Sequence, residues 1–286
     1  MNTPFAIIGF GEAAQTFSGG AGWRNCAHVY DRKTDVPETA AQKTADYNTF
    51  GVTPCTTNTT AVSGAPYIMS LVTADQSLAV AEETSNGIEK SAIFFDMNSV
   101  APGTKRNSAN AIESAGGRYL DVAIMAPVQP KALNVPLLVA GPVADEGVEI
   151  LKSLGFANVR SVGAEVGQAS TIKMLRSIMI KGIEALTAEC VLAASKADAL
   201  DAVLAALGDD WADRANYNLD RMMIHGTRRA AEMEEVVKTI EDLGMNASMT
   251  AGTVARQSAI GALNFKTPPD SLQDKLALLT GKESIK

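Results

Sequence analysis

Near its start the chain reads Ala6-Ile7-Ile8-Gly9-Phe10-Gly11-Glu12-Ala13-Ala14, an apolar run interrupted by two glycines one residue apart. Few folds accept that order. Gly9 permits a tight turn out of a strand, Gly11 leaves room for backbone to approach a pyrophosphate, and Ala14 allows close helix–sheet packing. A helix starting at Glu12 offers free amides and the positive end of its dipole to phosphate, so no basic side chain is needed. The surroundings agree with such a unit. A helical stretch Glu12 to Ser18 is expected to stop at Gly19-Gly20, and an apolar strand Ala27 to Tyr30 then closes on Asp31. An acid at that spacing hydrogen-bonds a ribose 2′-hydroxyl. A glycine-rich hairpin in an unrelated fold is the rival reading, and it does not account for this strand–turn–helix setting.

The 286 residues allow about two domains. With 25 basic against 32 acidic residues the net charge is −7 and no block of Lys or Arg occurs, which speaks against nucleic acid or an anionic membrane as partner. Cys26, Cys55 and Cys190 are odd in number and widely spaced, so neither a disulfide framework nor a metal site is expected. No leader and no run of about 18 uncharged apolar residues is visible, and the expectation is a cytoplasmic protein acting on a small molecule.

After Asp31, short apolar runs alternate with polar or helical segments. Tyr67 to Thr73, Ile93 to Met97, Arg118 to Val122 and Leu137 to Ala140 read as strands of a mainly parallel α/β sheet. Ligands collect beyond the carboxyl ends of such strands, so Val72, Thr73, Asn98 and Ser99 are expected to line the far half of the nucleotide site. From about Ala164 the pattern changes to a long helix reaching roughly Ala197, with Ile172, Leu175, Met179, Ile183 and Leu186 at three- and four-residue steps. Further helices are read at Asp198 to Leu207 and Arg228 to Leu243, the latter closed by Gly244, and Pro268-Pro269 precedes a short tail. The division is placed at residues 1–162 and 163–286.

Lys173 lies on the long helix with Arg176 and Ser177 at helical spacing beside the apolar stripe. Spacing alone leaves two readings open: a solvated lysine on an amphipathic helix, or a partly desolvated one suited to proton transfer.

The chain resembles the β-hydroxyacid dehydrogenases, which include 3-hydroxyisobutyrate and 6-phosphogluconate dehydrogenases. The resemblance rests on the glycine turn, on Asp96-Met97-Asn98-Ser99-Val100-Ala101-Pro102, on Asp121-Val122-Ala123, on Leu137-Leu138-Val139-Ala140-Gly141 and on the Gly-x-x-x-x-x-Lys element ending at Lys173. Lys173-Met174 and the run His225-Gly226-Thr227-Arg228-Arg229 are similar to a phosphogluconate-dehydrogenase-like branch with a divergent C-terminal domain. The resemblance implies a Rossmann-type doubly wound parallel sheet followed by an all-α domain, a homodimer or larger homo-oligomer, and Lys173 as general acid/base.

Two departures stand out. The family's asparagine four residues after the lysine is Ser177 here, and its Ser-Gly-Gly substrate loop is matched by Met125-Ala126-Pro127, where Pro127 has no N–H to offer. A larger, less polar substrate is the expectation. Ser99, Met125, Ala126 and Ser177, with Arg228 or Arg229 for an anionic group, are the candidate substrate residues. Asp31 favours NAD, while Arg32 and Lys33 keep NADP open. The expected function is hydride transfer between the nicotinamide and a hydroxyl-bearing carbon of a hydroxy acid or related metabolite. Imine reduction and a non-catalytic NAD(H)-binding module are the alternatives.

Overall fold

A computed structural model describes residues 4–281. The chain divides into two compact units, Met1–Lys173 and Met174–Lys286, so the division falls within one long helix.

The first unit is a sheet of eight strands. In chain order they are β1 (Phe5–Ile8), β2 (Ala27–Tyr30), β3 (Thr53–Pro54), β4 (Tyr67–Ser70), β5 (Ile93–Asp96), β6 (Arg118–Ile124), β7 (Leu137–Ala140) and β8 (Val159–Gly163). Their spatial order is β3-β2-β1-β4-β5-β6-β7-β8, and only the β6–β7 pair is antiparallel. Helices α1 (Glu12–Ala21), α2 (Pro37–Phe50), α3 (Asn58–Val62), α4 (Ser77–Ser85), α5 (Pro102–Ser114) and α6 (Ala144–Ser153) connect them. β1, β5 and β7 are buried at every position and β4 at all but Tyr67, as continuous apolar runs in a sheet covered on both faces must be. One core packs Phe5, Phe10, Phe17, Trp23 and Phe156 together, and the other groups Ile8, Ile68, Phe94 and Tyr119. The strand order reverses between β1's neighbours β2 and β4, and a ligand crevice opens at such a switch point.

The four strands read after Asp31 are present, each ending within three residues of its expected limit, as are β1 and β2, while β3 and β8 were not legible. Helix α1 runs through Gly19-Gly20 and stops at Gly22, which takes the left-handed conformation at φ 64°. The two glycines serve packing instead. A methyl group on Gly19 would lie 3.2 Å from the Phe50 ring and one on Gly20 3.4 Å from Leu133.

Helix α7 (Gln168–Lys196) spans the division, and the second unit continues with α8 (Leu200–Leu207), α9 (Trp211–Asp242), α10 (Ser248–Gly261) and α11 (Leu272–Thr280). The helix expected from Arg228 is the second half of the 32-residue α9. Its first half is held by Ala215, Leu219, Met222 and Met223, buried with Leu272 and Leu276 of α11. The segment beyond Pro268-Pro269 is thus a packed helix, N-capped by Ser271, whose hydroxyl accepts the Asp274 amide at 3.1 Å. α9 and α10 cross at two glycines: a methyl group on Gly226 would lie 2.7 Å from the Gly261 Cα.

Candidate functional site

The glycine turn is built as its sequence demands. Gly9 sits at φ 87°, and a side chain there would lie 2.5 Å from the Leu71 carbonyl oxygen and 2.7 Å from the Val72 side chain. Gly11 caps α1 at φ −85° with no side chain hydrogen-bonded to the helix end. A methyl group on Gly11 would meet no heavy atom within 4 Å. The space over the α1 N-terminus is therefore open, and the amides of Glu12, Ala13 and Ala14 precede the first intrahelical bond, which Gln15 N donates to the Gly11 carbonyl at 3.0 Å. A pyrophosphate fits such a cradle.

The peptide of Phe10 is clamped from both sides. Its N–H donates to Asp31 Oδ2 at 2.7 Å, and its carbonyl accepts from Lys43 Nζ at 2.8 Å and Gln15 Nε2 at 3.0 Å. The other Asp31 oxygen accepts the Lys33 amide at 2.9 Å. Asp31 is buried at 8% exposure, yet each oxygen retains a second lone-pair direction for a ribose hydroxyl. Asp46 receives Lys43 and Gln15 in turn, and the Lys43 bond holds its carboxyl below the ordinary range. Arg32 bonds Gln76, which links the turn after β2 to the turn after β4.

Beyond β4 and β5 the second half of the site takes shape. The Asn98 side chain is spent internally: its oxygen accepts the Val72 amide at 2.7 Å, and its nitrogen donates to Ser70 Oγ at 2.9 Å and Ser77 Oγ at 3.2 Å. Asn98 therefore holds Val72, whose side chain lies against Gly9. Thr73 is exposed, and its hydroxyl bond helps keep Asp75 below the ordinary carboxylate range. Ser99 follows Asn98, and its hydroxyl accepts a short hydrogen bond from Lys173 Nζ. Both are half-buried.

The loop after β6 does not offer its first amide, because Met125 N–H donates to the Pro136 carbonyl at 2.9 Å. The Met125 side chain packs with Ala123, Leu138 and Ala169, and Ala126 packs on the larger core.

In the second unit, Arg229 is 8% exposed and both arms of its guanidinium are taken by Glu184 of α7, Nε at 2.9 Å from Oε2. The expectation that Arg229 receives a substrate anion is corrected accordingly: a bidentate carboxylate already neutralises it. Gln257 adds a 2.9 Å bond to the same Glu184 oxygen. Arg228, the next residue along α9, is exposed. Ser177 is buried and accepts from Lys181 Nζ at 3.3 Å, while Lys181 pairs with Glu232 at 2.9 Å.

Sequence reasoning missed a cluster under the strand ends. Asp96 and Asp121 are register partners on β5 and β6, and both are wholly buried with Lys105 of α5 between them. An acid closing an otherwise apolar strand was the available signal; nothing in the sequence marked Lys105 as its partner.

Together the switch point in the strand order, the open helix N-terminus and the clamped turn define a dinucleotide-binding protein of the Rossmann type. Residues 13–154 match the NAD binding domain of 6-phosphogluconate dehydrogenase, and residues 194–260 match a domain of unknown function (DUF1932). The chain is 37% identical to a conserved hypothetical protein from Sinorhizobium meliloti 1021 of known structure, with a TM-score of 0.79, covering 99% of this chain and 97% of that one. It is 30% identical to a conserved protein of unknown function described as structurally similar to 3-hydroxyacid dehydrogenases, with a TM-score of 0.71 over 91% of this chain and 97% of that one. Mycobacterium tuberculosis 3-hydroxyisobutyrate dehydrogenase shares the fold at 16% identity, with a TM-score of 0.72 over 93% of this chain and all of that one (100%). The chain belongs to the β-hydroxyacid dehydrogenase family, in a branch that joins this NAD(P)-binding domain to a DUF1932 domain. No helix among the described residues is long and apolar enough to cross a membrane.

Proposed function

We propose that the protein is an NAD(P)-dependent oxidoreductase acting on the hydroxyl-bearing carbon of a hydroxy acid or related polar metabolite, with Lys173 as general acid/base. The observation that carries this reading is the hydrogen bond from Lys173 Nζ to Ser99 Oγ, which sets a lysine against the end of β5 in the unit that holds the glycine turn. The α1 N-terminus would hold the pyrophosphate, Asp31 the adenosine ribose, and Val72 and Thr73 the nicotinamide end. Bound there, the nicotinamide supplies hydride exchange. Lys173 takes the substrate hydroxyl proton on oxidation and returns it on reduction, and Ser99 fixes the direction of its amine. The half-buried position limits competing hydration of that amine. Asp31 leans the preference toward NAD, since a 2′-phosphate would meet its carboxylate.

Residue pattern also supports a homo-oligomer. Leu175, Met179, Ile183 and Leu186 leave an apolar stripe of α7 exposed, with Met179 and Leu186 each at 62%. A stripe of that kind is suited to a second copy of the helix. The spent Met125 amide and Pro127 support a substrate held less by backbone donors after β6 than a small carboxylate would need.

The test is nicotinamide absorbance during a screen of hydroxy acids and their carbonyl forms with NAD(H) and NADP(H), run beside Lys173→Ala. Turnover that falls by about two or more orders of magnitude in the variant supports the assignment, that being the usual loss for an acid/base group. Turnover indifferent to the substitution removes Lys173 from the mechanism. Turnover confined to carbonyl–amine mixtures favours imine reduction, and tight NADH binding with no turnover favours the binding module.

A further inference from the structure

Asp96, Lys105 and Asp121 form a wholly buried three-charge cluster. Asp96 and Asp121 face each other across parallel strands, a pairing of like charges at zero exposure. Lys105 Nζ answers it, 2.9 Å from Asp96 Oδ1 and 3.5 Å from Asp121 Oδ1, while also donating to the Asp96 carbonyl at 2.6 Å. Removing any one of the three leaves an uncompensated charge among the others, so their geometry is held as a unit.

Each carboxylate hands that geometry on in a different direction. Asp96 Oδ1 accepts the Asn98 amide at 3.0 Å, which fixes the Met97–Asn98 peptide, one residue before Ser99. Its other oxygen accepts Tyr119 Oη at 2.5 Å, and burial pushes that phenol well above its ordinary range, so it remains a donor. Asp121 Oδ2 accepts both the amide and the hydroxyl of Ser170, at 2.9 and 3.0 Å. The Ser170 amide belongs to the first turn of α7, where amides lack an intrahelical acceptor and a negative charge is stabilised by the dipole. Lys173 is one turn further along that helix.

We propose that Lys105 is the positioning residue of the acid/base centre, joining through Asp96 and Asp121 the two segments that present Ser99 and Lys173. One ammonium sets the register of both ends of the Lys173–Ser99 hydrogen bond, so it controls where the amine points without touching substrate. The role in turnover rests on the function proposed above, but the placement of Lys173 does not, and the two are separable by experiment.

The variants are Lys105→Met, Asp121→Asn and Ser170→Ala, the last introducing no buried charge and carrying the test if the first does not fold. Labelling of Lys173 by an amine-directed reagent is followed by mass spectrometry against exposed Lys131, alongside NADH binding and steady-state kinetics. The expected result is severalfold faster labelling of Lys173 with unchanged Lys131 labelling and near-native NADH affinity. With a substrate in hand, kcat falls about 100-fold with little change in nucleotide KM, the scale expected of a misplacement near 1 Å. Native labelling rates at Lys173 in folded variants overturn the proposal. Altered labelling in a protein that turns over no substrate upholds the link from Lys105 to Lys173 while removing the dehydrogenase reading.

Discussion

Gly9 and Gly11 differ by two positions and by the physical job each does, and alanine at either separates folding from binding. At Gly9 the methyl group enters at φ 87° and 2.5 Å from the Leu71 carbonyl oxygen. That carbonyl is held on both sides: the N–H of its own peptide, that of Val72, donates to Asn98 Oδ1 at 2.7 Å, and the preceding Leu71 amide donates to the Ile8 carbonyl at 2.8 Å. A left-handed conformation costs about 1–2 kcal/mol and overpacking a further 1–3 kcal/mol, so Gly9→Ala is expected to lose about 3 kcal/mol of stability. Gly11→Ala meets no heavy atom within 4 Å at an accessible φ of −85°. Its stability is expected within about 1 kcal/mol of wild type, the poorer N-cap being offset by a less flexible unfolded chain. The methyl group does occupy the space over the α1 amides. Losing two amide bonds to a charged phosphate at about 1.5 kcal/mol each gives about 3 kcal/mol, or about 100-fold in Kd. Thermal unfolding and NADH fluorescence titration measure the two quantities. A Gly11→Ala protein with native NADH affinity refutes the phosphate site, and one that melts with the Gly9→Ala protein refutes the open cradle.

Asp31→Ser is expected to lower the preference for NADH over NADPH by about tenfold, read as the ratio of two titrations; an unchanged ratio places the ribose elsewhere. Asp46 has its carboxyl held down chiefly by the Lys43 bond, so it contributes stability above the unfolded carboxylate pKa of about 3.9, and that contribution is lost as pH falls through the lower folded value. Asp46→Asn should therefore destabilise the protein at neutral pH and cease to differ from wild type in acid, as denaturant titrations at several pH values would record. Met179→Glu together with Leu186→Glu on the exposed α7 stripe is expected to reduce the particle mass seen by light scattering without loss of helix content, and an unaltered mass would clear that stripe of self-association.

Much of the site was written locally. Gly9, Gly11 and Asp31 could be read because a turn, a close approach and a strand-end acid each need one residue type at one spacing, whatever lies around them. Asn98 was located correctly at the end of β5, yet its employment inside the protein, holding Val72, depended on Ser70 and Ser77 arriving from other elements. Arg229 could not be assigned from its own helix, because its partner Glu184 lies 45 positions away on α7. Helix α9 was cut short at Arg228 for a related reason. Its first half contains Asn216, Asn218 and Gly226, weak helix formers whose places are set by other elements: Asn216 donates to the Asp270 carbonyl at 3.0 Å, Asn218 to Thr187 Oγ1 at 3.1 Å, and Gly226 lets α10 approach.

By itself, then, the sequence determined the glycine turn, the acid after β2, the alternation of buried strands with helices and the helical second half, since propensity, periodicity and turn chemistry act over a few residues. The periodic stripe of α7 was equally legible, but periodicity says that a face exists and not whether it is covered; the structure leaves Met179 and Leu186 exposed. Tertiary structure alone decided which charges meet. Lys105 stands between Asp96 and Asp121 because α5 folds back over two strands that are paired in space and separated by a helix in sequence. Such partnerships are fixed by packing, where burial makes an unpaired charge prohibitive, and no local rule encodes them.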